Sequence, residues 1–387
     1  MSRPGAGSLS KPKSLLAVHR ILSPTAGIRV SPLCLGAMNF GEAWESSMGV
    51  CNKETSFAIL DYFFDQGGNF IDTANVYQGE ESEEWLGEWM SLRGNRDQMV
   101  IATKYTTFYP SGKAGEVIKS NFQGNHLKSM HLSLEASLKK LQTTYIDIFY
   151  VHWWDFTTSI PELMKSLNRM IDARKVLYLG ISDTPAWVVS KANEYARSHG
   201  LTQFCVYQGK WSASVRDFER DILPMCEAEG MALAPWGSLA QGNFKTQEQR
   251  QSTDGRKGRP ATEKDLKVSE KLEEIAAKKG TLITSVALAY VMHKAPYVFP
   301  LVGGRKLQHL KGNIEALSVE LSDEEIDDIE SAYPFDVGFP MSMLFGLHDP
   351  TYYKTRMTSK DINLVKSAVN LDTPEKLRPI RPHKLDN

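Results

Sequence analysis

Eight short apolar runs alternate with eight longer segments whose apolar residues recur at helical spacing, and few architectures accommodate that rhythm. The runs are 32–35, 69–71, 99–103, 146–151, 176–180, 204–207, 231–234 and 297–300. The segments between and after them are 55–66, 82–92, 127–141, 160–173, 185–199, 215–229, 267–279 and 309–317. The run Ile146-Asp147-Ile148-Phe149-Tyr150-Val151 is almost continuously apolar, as a strand covered on both faces would be. Eight β-then-α units in a row fit a closed barrel, whereas a doubly wound sheet usually needs fewer strands and a glycine-rich first turn. At 387 residues the chain could hold two or three domains. The rhythm predicts one instead: a single (β/α)8 TIM barrel over 26–333, with a leader over 1–25 and an extension over 334–387.

Two stretches break the pattern. Residues 237–264 are polar and glycine-rich and follow the seventh run, on the side where barrel active sites lie, so they are expected to form a mobile loop. Within it Arg256-Lys257-Gly258-Arg259 reads as solvated loop. From Tyr333 onward Phe335, Phe339, Met341, Met343, Leu344, Phe345, Tyr352 and Tyr353 follow no clean period, and the expectation is that this tail packs across a barrel mouth.

Charge narrows the function. Lys plus Arg number 45 against 46 Asp plus Glu, so no global field draws the chain to nucleic acid or anionic lipid. Cys34, Cys51, Cys205 and Cys226 make no Cys-x-x-Cys pair, which argues against a zinc ribbon or disulfide framework and for a reducing, cytoplasmic compartment. The other eight histidines besides His152 lack metal-ligand spacing, so no metal is expected. No apolar run reaches the roughly 18 residues of a membrane span. A small-molecule partner and a monomer or small homo-oligomer are expected.

Barrel chemistry gathers at the carboxyl ends of strands. Asp72 follows the second run, with Tyr77 shortly after, Lys104 follows the third, and His152 the fourth. A phenol is a poor acid at neutral pH, but a neighbouring cation such as Lys104 lowers its pKa and eases proton donation to a developing alkoxide. Asp72 would hold Lys104 as an ion pair, and His152 would hydrogen-bond a carbonyl oxygen. Each residue alone has a plain structural use as a cap, core phenol or snorkelling amine; their joint placement points to carbonyl reduction.

Asp72, Tyr77, Lys104 and His152 in this order resemble the catalytic tetrad of the aldo-keto reductase superfamily, over roughly residues 28–333. The resemblance implies a barrel that binds NADPH without a Rossmann fold. Consistently, no Gly-x-Gly-x-x-Gly follows a strand, and the only Gly-x-Gly is Gly5–Gly7. It implies carboxamide contacts from Ser182, Asp183 and Gln208, with Asp72 also against the cofactor, and an aromatic wall on the nicotinamide from Trp236. Asp183 stands where the family has Asn; a carboxylate accepts from an amide but cannot donate. Gly237, Ser238, Leu239, Ala240, Gln241 and Gly242 would run along the pyrophosphate. Arg305, Lys306, His309 and Lys311 resemble the segment that grips the adenosine 2′-phosphate, favouring NADP over NAD, and Asn313 matches an adenine-contacting residue. Gly312 departs from the Glu often found there.

Within the superfamily the chain resembles the fungal aryl-alcohol dehydrogenase branch and, inside it, the norsolorinic acid reductases of the sterigmatocystin and aflatoxin pathway. Gly41-Glu-Ala-Trp44, Tyr150-Val-His-Trp-Trp-Asp155, Val206-Tyr-Gln-Gly-Lys-Trp211 and Ala234-Pro-Trp-Gly237 carry this likeness. Trp44, Trp153 and Trp154 are then expected to offer flat surfaces to an aromatic ketone or aldehyde. Two other outcomes stay open: a general aryl-alcohol dehydrogenase, and an NADPH-binding redox-sensing module with little turnover.

Overall fold

A computed structural model describes residues 11–110, 115–251 and 260–382; the Arg256–Arg259 stretch lies outside them. Strands β1 (Arg20–Ser23) and β2 (Ala26–Val30) pair as an antiparallel hairpin. The other eight form one parallel sheet: β3 (Cys34–Gly36), β4 (Phe70–Asp72), β5 (Val100–Tyr105), β6 (Ile146–Val151), β7 (Val176–Ser182), β8 (Phe204–Lys210), β9 (Ala232–Trp236) and β10 (Leu301–Val302). The order β10-β3-β4-β5-β6-β7-β8-β9 is sequential around the ring, with β10 returning beside β3. A parallel bridge from Leu233 to Val298 joins the ends. The chain therefore folds as the expected (β/α)8 barrel.

The last strand differs from expectation in an instructive way. Residues 297–299 bond β9, through Leu233 N–H to Tyr297 O and Phe299 N–H to Leu233 O. Leu301 and Val302 instead pair with Cys34 and Leu35. One apolar run is thus divided between its two neighbours, and the regular strand shifts to the half that pairs with β3.

The helices that clothe the barrel are α1 (Lys53–Asp65), α2 (Glu81–Arg93), α3 (Leu127–Lys140), α4 (Ile160–Asp172), α5 (Ala186–Ser198), α6 (Ile222–Glu229), α7 (Glu263–Lys279), α8 (Ile283–Lys294), α9 (Leu307–Glu315) and α10 (Asp323–Ser331). Side-chain caps start several of them: Asn52 Oδ1 accepts from Thr55 N at 2.9 Å ahead of α1, and Thr262 and Asp265 form a reciprocal capping box on α7. The expected helix over 215–229 is broken, with a tight turn at Asp217–Glu219 before α6. Helix α8 was not anticipated: Ile283 through His293 are buried apart from Thr284, so no polar face marks its period.

Alternation along the strands separates two apolar layers. On β6 Ile148 and Tyr150 point into the barrel with Phe70, Ala102, Val206 and Phe299, while Phe149 and Val151 pack outward under the helices. Leu22, Ala26 and Val30 of the hairpin join the inner layer. The hairpin meets the strands' amino ends, where Asn69 bonds the backbone of Arg29 and Ser31 and Thr25 bonds Gly230 O. This corrects the leader: from Arg20 onward it closes the floor of the barrel, because an open floor would expose that inner layer to water.

The tail's polar contacts run to Asp336 from Arg220, and from Lys354, Arg356, Lys376 and Arg378 to Glu330, Asp327, Glu227 and Asp323. Those partners sit on or beside α6 and α10 outside the barrel, and Val337, Phe345 and Tyr353 form a separate small cluster. The described tail straps the outer helices, and at its start Phe335 packs under Arg216 and Arg220, in the segment that follows β8.

Candidate active site

Register brings the tetrad together. Asp72 closes β4 opposite Ala102, and Lys104, two residues further along β5 on the same face, lies opposite Tyr150. The Lys104 ammonium donates to Asp72 Oδ1 at 2.5 Å and to Thr73 O at 2.7 Å, and lies 3.5 Å from the Tyr77 hydroxyl. Gln208, on β8, donates from Nε2 to Asp72 Oδ2 at 2.9 Å, so both carboxylate oxygens are satisfied. His152 stands just past β6, its ring edge-on to Tyr77 at 5.9 Å.

Burial sets the protonation states. It would lower the Lys104 ammonium, yet Asp72 and Tyr77 outweigh it and the net direction is upward, so the lysine stays charged. The Asp72 carboxyl is raised by burial against the pull of Lys104 and Gln208. The Tyr77 phenol is also raised, because burial exceeds the opposing Lys104 charge. That reverses the expected sign: Lys104 limits the rise without producing a net fall. His152 is pushed down to about 3 by burial and then by Lys104, leaving a neutral imidazole at pH 7.

The predicted cofactor residues line the neighbouring strand ends. Ser182 closes β7 opposite Gln208, and Asp183 follows with a left-handed φ of 41°, its Oδ1 accepting from Trp236 Nε1 at 3.2 Å. Burial raises the Asp183 carboxyl. Trp236 ends β9 and carries the Lys210 ammonium 5.8 Å from its ring. After it Gly237, Ala240, Gln241 and Gly242 all have positive φ, and the Ser238 hydroxyl is buried without a protein partner among the described residues. Leu239 is half-buried. Such a backbone with an orphaned hydroxyl fits a phosphate-bearing ligand. Arg305 and Lys306 precede α9, with Lys306 and His309 exposed. Lys311 instead lies over the Tyr62 ring at 5.4 Å, and Asn313 is buried.

The three tryptophans part company. Trp44 stands edge-on to Tyr77 at 6.1 Å, and Trp153 is tied beside His152 through Thr107. Trp154 is 8% exposed, packs in the main core and stands edge-on to Phe156.

Comparison with known proteins decides the family. The model of the Aldo/keto reductase family matches residues 32–334. The chain is an aldo-keto reductase. It is 59% identical to norsolorinic acid reductase A of Aspergillus parasiticus, over 96% of this chain and 95% of that protein. Norsolorinic acid reductase stcV of Emericella nidulans is 57% identical over 96% of each chain. An aryl-alcohol dehydrogenase [NADP(+)] of Phanerodontia chrysosporium is 50% identical over 97% of this chain and 98% of that one. The protein is thus an oxidoreductase of the aldo-keto reductase family, within reach of both named groups.

Residue-level reading of this aldo-keto reductase missed several neighbours of the site. Gln78 grips Trp44, accepting from its backbone N–H at 2.8 Å, and donates to Met38 O at 2.9 Å. Gly49, with φ 78°, lets the Arg305 guanidinium approach so closely that a β-carbon there would sit 1.9 Å from Nη1. Lys140 of α3 bonds Asn75 O and Glu80, on either side of Tyr77. Only their proximity to the motifs hinted at them, since their partners are distant in sequence. Among the described residues no group of His, Cys, Asp and Glu could hold a metal ion.

Proposed function

We propose that this protein is an NADPH-dependent reductase converting an aromatic ketone or aldehyde to the alcohol, of the type that takes norsolorinic acid to averantin in fungal polyketide mycotoxin biosynthesis. The carrying observation is the buried Lys104–Asp72 pair, 3.5 Å from Tyr77 on the Lys104 side, with a neutral His152 facing the phenol. The names of the relatives point to the aromatic substrate, and the name of one of them to NADP.

Ser182, Asp183, Gln208 and Trp236 would hold the nicotinamide, residues 237–242 the pyrophosphate, and Arg305, Lys306 and His309 the 2′-phosphate. When bound, NADPH supplies the hydride. Tyr77, un-ionised because burial raises its phenol, delivers a proton from Oη to the carbonyl oxygen. The charged Lys104 stabilises the phenolate left behind, and Asp72 keeps that charge in place. His152 offers a ring N–H to the same oxygen, orienting and polarising it. Trp44 and Trp153 flank this space and would stack on the aromatic part of the substrate. The four cysteines are free and buried, and no single described helix is long and apolar enough to cross a membrane.

The test is NADPH oxidation by the purified protein with benzaldehydes, quinones and a hexanoyl anthraquinone. Turnover of the anthraquinone ketone is expected. Turnover of benzaldehydes alone would assign a general aryl-alcohol dehydrogenase, and NADPH binding with no turnover of any carbonyl would favour the redox-sensing role.

A further inference from the structure

Beyond the four residues of the tetrad, we infer that Thr107 is a positioning residue that sets the tautomer of His152, with Trp153 as its anchor. This rests on the reductase reading above, in which His152 must present an N–H to the substrate oxygen.

Thr107 lies two residues past the end of β5. Its hydroxyl oxygen accepts from Trp153 Nε1 at 2.9 Å and stands 3.5 Å from His152 Nδ1. An indole N–H only donates, so one lone pair of the Thr107 hydroxyl is committed to Trp153. The hydroxyl hydrogen has no other acceptor among the described residues and turns to His152 Nδ1. A neutral imidazole that accepts at Nδ1 carries its proton on Nε2. Nε2, on the opposite side of the ring, has no protein partner among the described residues and is free for the carbonyl oxygen. The opposite tautomer would present a bare lone pair to that oxygen and repel it.

The backbone around Thr107 is built to hold this arrangement. Thr106 is a buried β-branched residue at φ 99°, a strained conformation that its surroundings must hold in place. Its hydroxyl accepts from the His152 backbone N–H at 3.3 Å and from Asn125 Nδ2 at 3.0 Å. Asn125 also donates to Trp153 O at 3.0 Å, and its Oδ1 accepts from Asp155 N at 2.8 Å. Two consecutive threonines therefore fix the main chain and the ring of His152 separately: Thr106 through N–H, Thr107 through Nδ1. Trp153, expected to be only a substrate wall, also holds the hydroxyl that holds the histidine.

The experiment compares wild type, Thr107→Val, Thr107→Ser and Trp153→Phe in two readouts. Protein labelled with 15N in its histidines, with the His152 signals assigned by difference from His152→Gln, reports the tautomer directly. Steady-state kinetics with NADPH and an aromatic carbonyl report the rest. Wild type is expected to show protonated Nε2 and unprotonated Nδ1. Thr107→Val should lose that preference, and kcat should fall by roughly 100-fold with KM for NADPH unchanged. Thr107→Ser, which keeps the hydroxyl, should restore the tautomer and most of kcat. Trp153→Phe frees the Thr107 oxygen to accept from Nδ1 and should weaken the preference, an arm that stands even if the valine variant fails to fold. Protonated Nδ1 in wild type, or an unchanged tautomer in both Thr107→Val and Trp153→Phe, would overturn the inference. Absence of carbonyl turnover in wild type, by contrast, would strike the reductase reading and leave the tautomer measurement intact.

Discussion

Tyr77 and His152 share one small volume, and burial acts on them in opposite senses. It raises the phenol and lowers the imidazole, so at pH 7 both are neutral and both carry a transferable or shareable hydrogen. His152 gains a proton only near pH 3, so kcat/KM should show no break assignable to it between pH 5 and 8. An inflection near 6.5 that disappears in His152→Gln would contradict this. Among the described residues Lys104 is the only cation bonded to Asp72, and Lys104→Met would leave that carboxylate buried with Gln208 alone. Loss of a buried partner costs about 3–5 kcal/mol, and the phenol would rise further without its cation. Both a lower denaturation midpoint and a rate loss of about 10²–10⁴ are expected, measured by urea titration and NADPH oxidation.

At the scale of the element, the turn after Tyr77 is a strained support. Gln78, Gly79 and Glu80 have φ of 53°, 60° and 95°, three left-handed residues in succession of which only one is glycine. Lys140 spans this turn, bonding Asn75 O at 3.1 Å before Tyr77 and pairing with Glu80 at 2.9 Å and the wholly buried Glu83 at 2.8 Å after it. Lys140→Met should destabilise the protein by about 3–5 kcal/mol, because buried Glu83 loses its cation and keeps only the Thr103 hydroxyl, and should lower kcat more than it raises KM for NADPH. Unchanged kcat in a folded variant would remove Lys140 from the support of Tyr77. Local features of this kind were only partly legible. The positions of Asp72, Lys104 and His152 could be read because each directly follows a short apolar run. Helix α8 could not, since a segment buried on all sides has no amphipathic period. The hairpin at Arg20–Val30 escaped because its burial pattern is irregular and its partners are the strand floors, far away in sequence. The downward effect of Lys104 on Tyr77 was right in sign as a single interaction, but the total burial that overrides it is a property of the folded barrel.

Across the whole molecule, one buried charge cluster ties the barrel to its tail. Glu330 of α10 pairs with Lys294 of α8, with Arg216 at 3.2 Å and with Lys354 of the tail at 3.0 Å. Burial would raise its carboxyl, yet these cations hold it down to about 2. Glu330→Gln should cost about 3–5 kcal/mol in chemical denaturation by leaving buried cations uncompensated. A second whole-molecule effect comes from His293, lowered to about 3 by burial and by nearby Arg381, Arg20 and Lys279. The unfolded chain binds a proton there below its ordinary 6.5 while the folded chain does not, so stability is complete above pH 6.5 and declines as pH falls toward 3. In a folded His293→Phe variant that decline should be shallower by up to about 1.4 kcal/mol per pH unit, and parallel curves would contradict it. At the other end of the scale, the strand ends of the barrel hold one phenol beside one ammonium. The most direct measurement is therefore turnover of the hexanoyl anthraquinone with NADPH by Tyr77→Phe, alongside its NADPH affinity by fluorescence. The account predicts a loss of about 10²–10⁴ in kcat with NADPH affinity retained; wild-type turnover in that variant would contradict it.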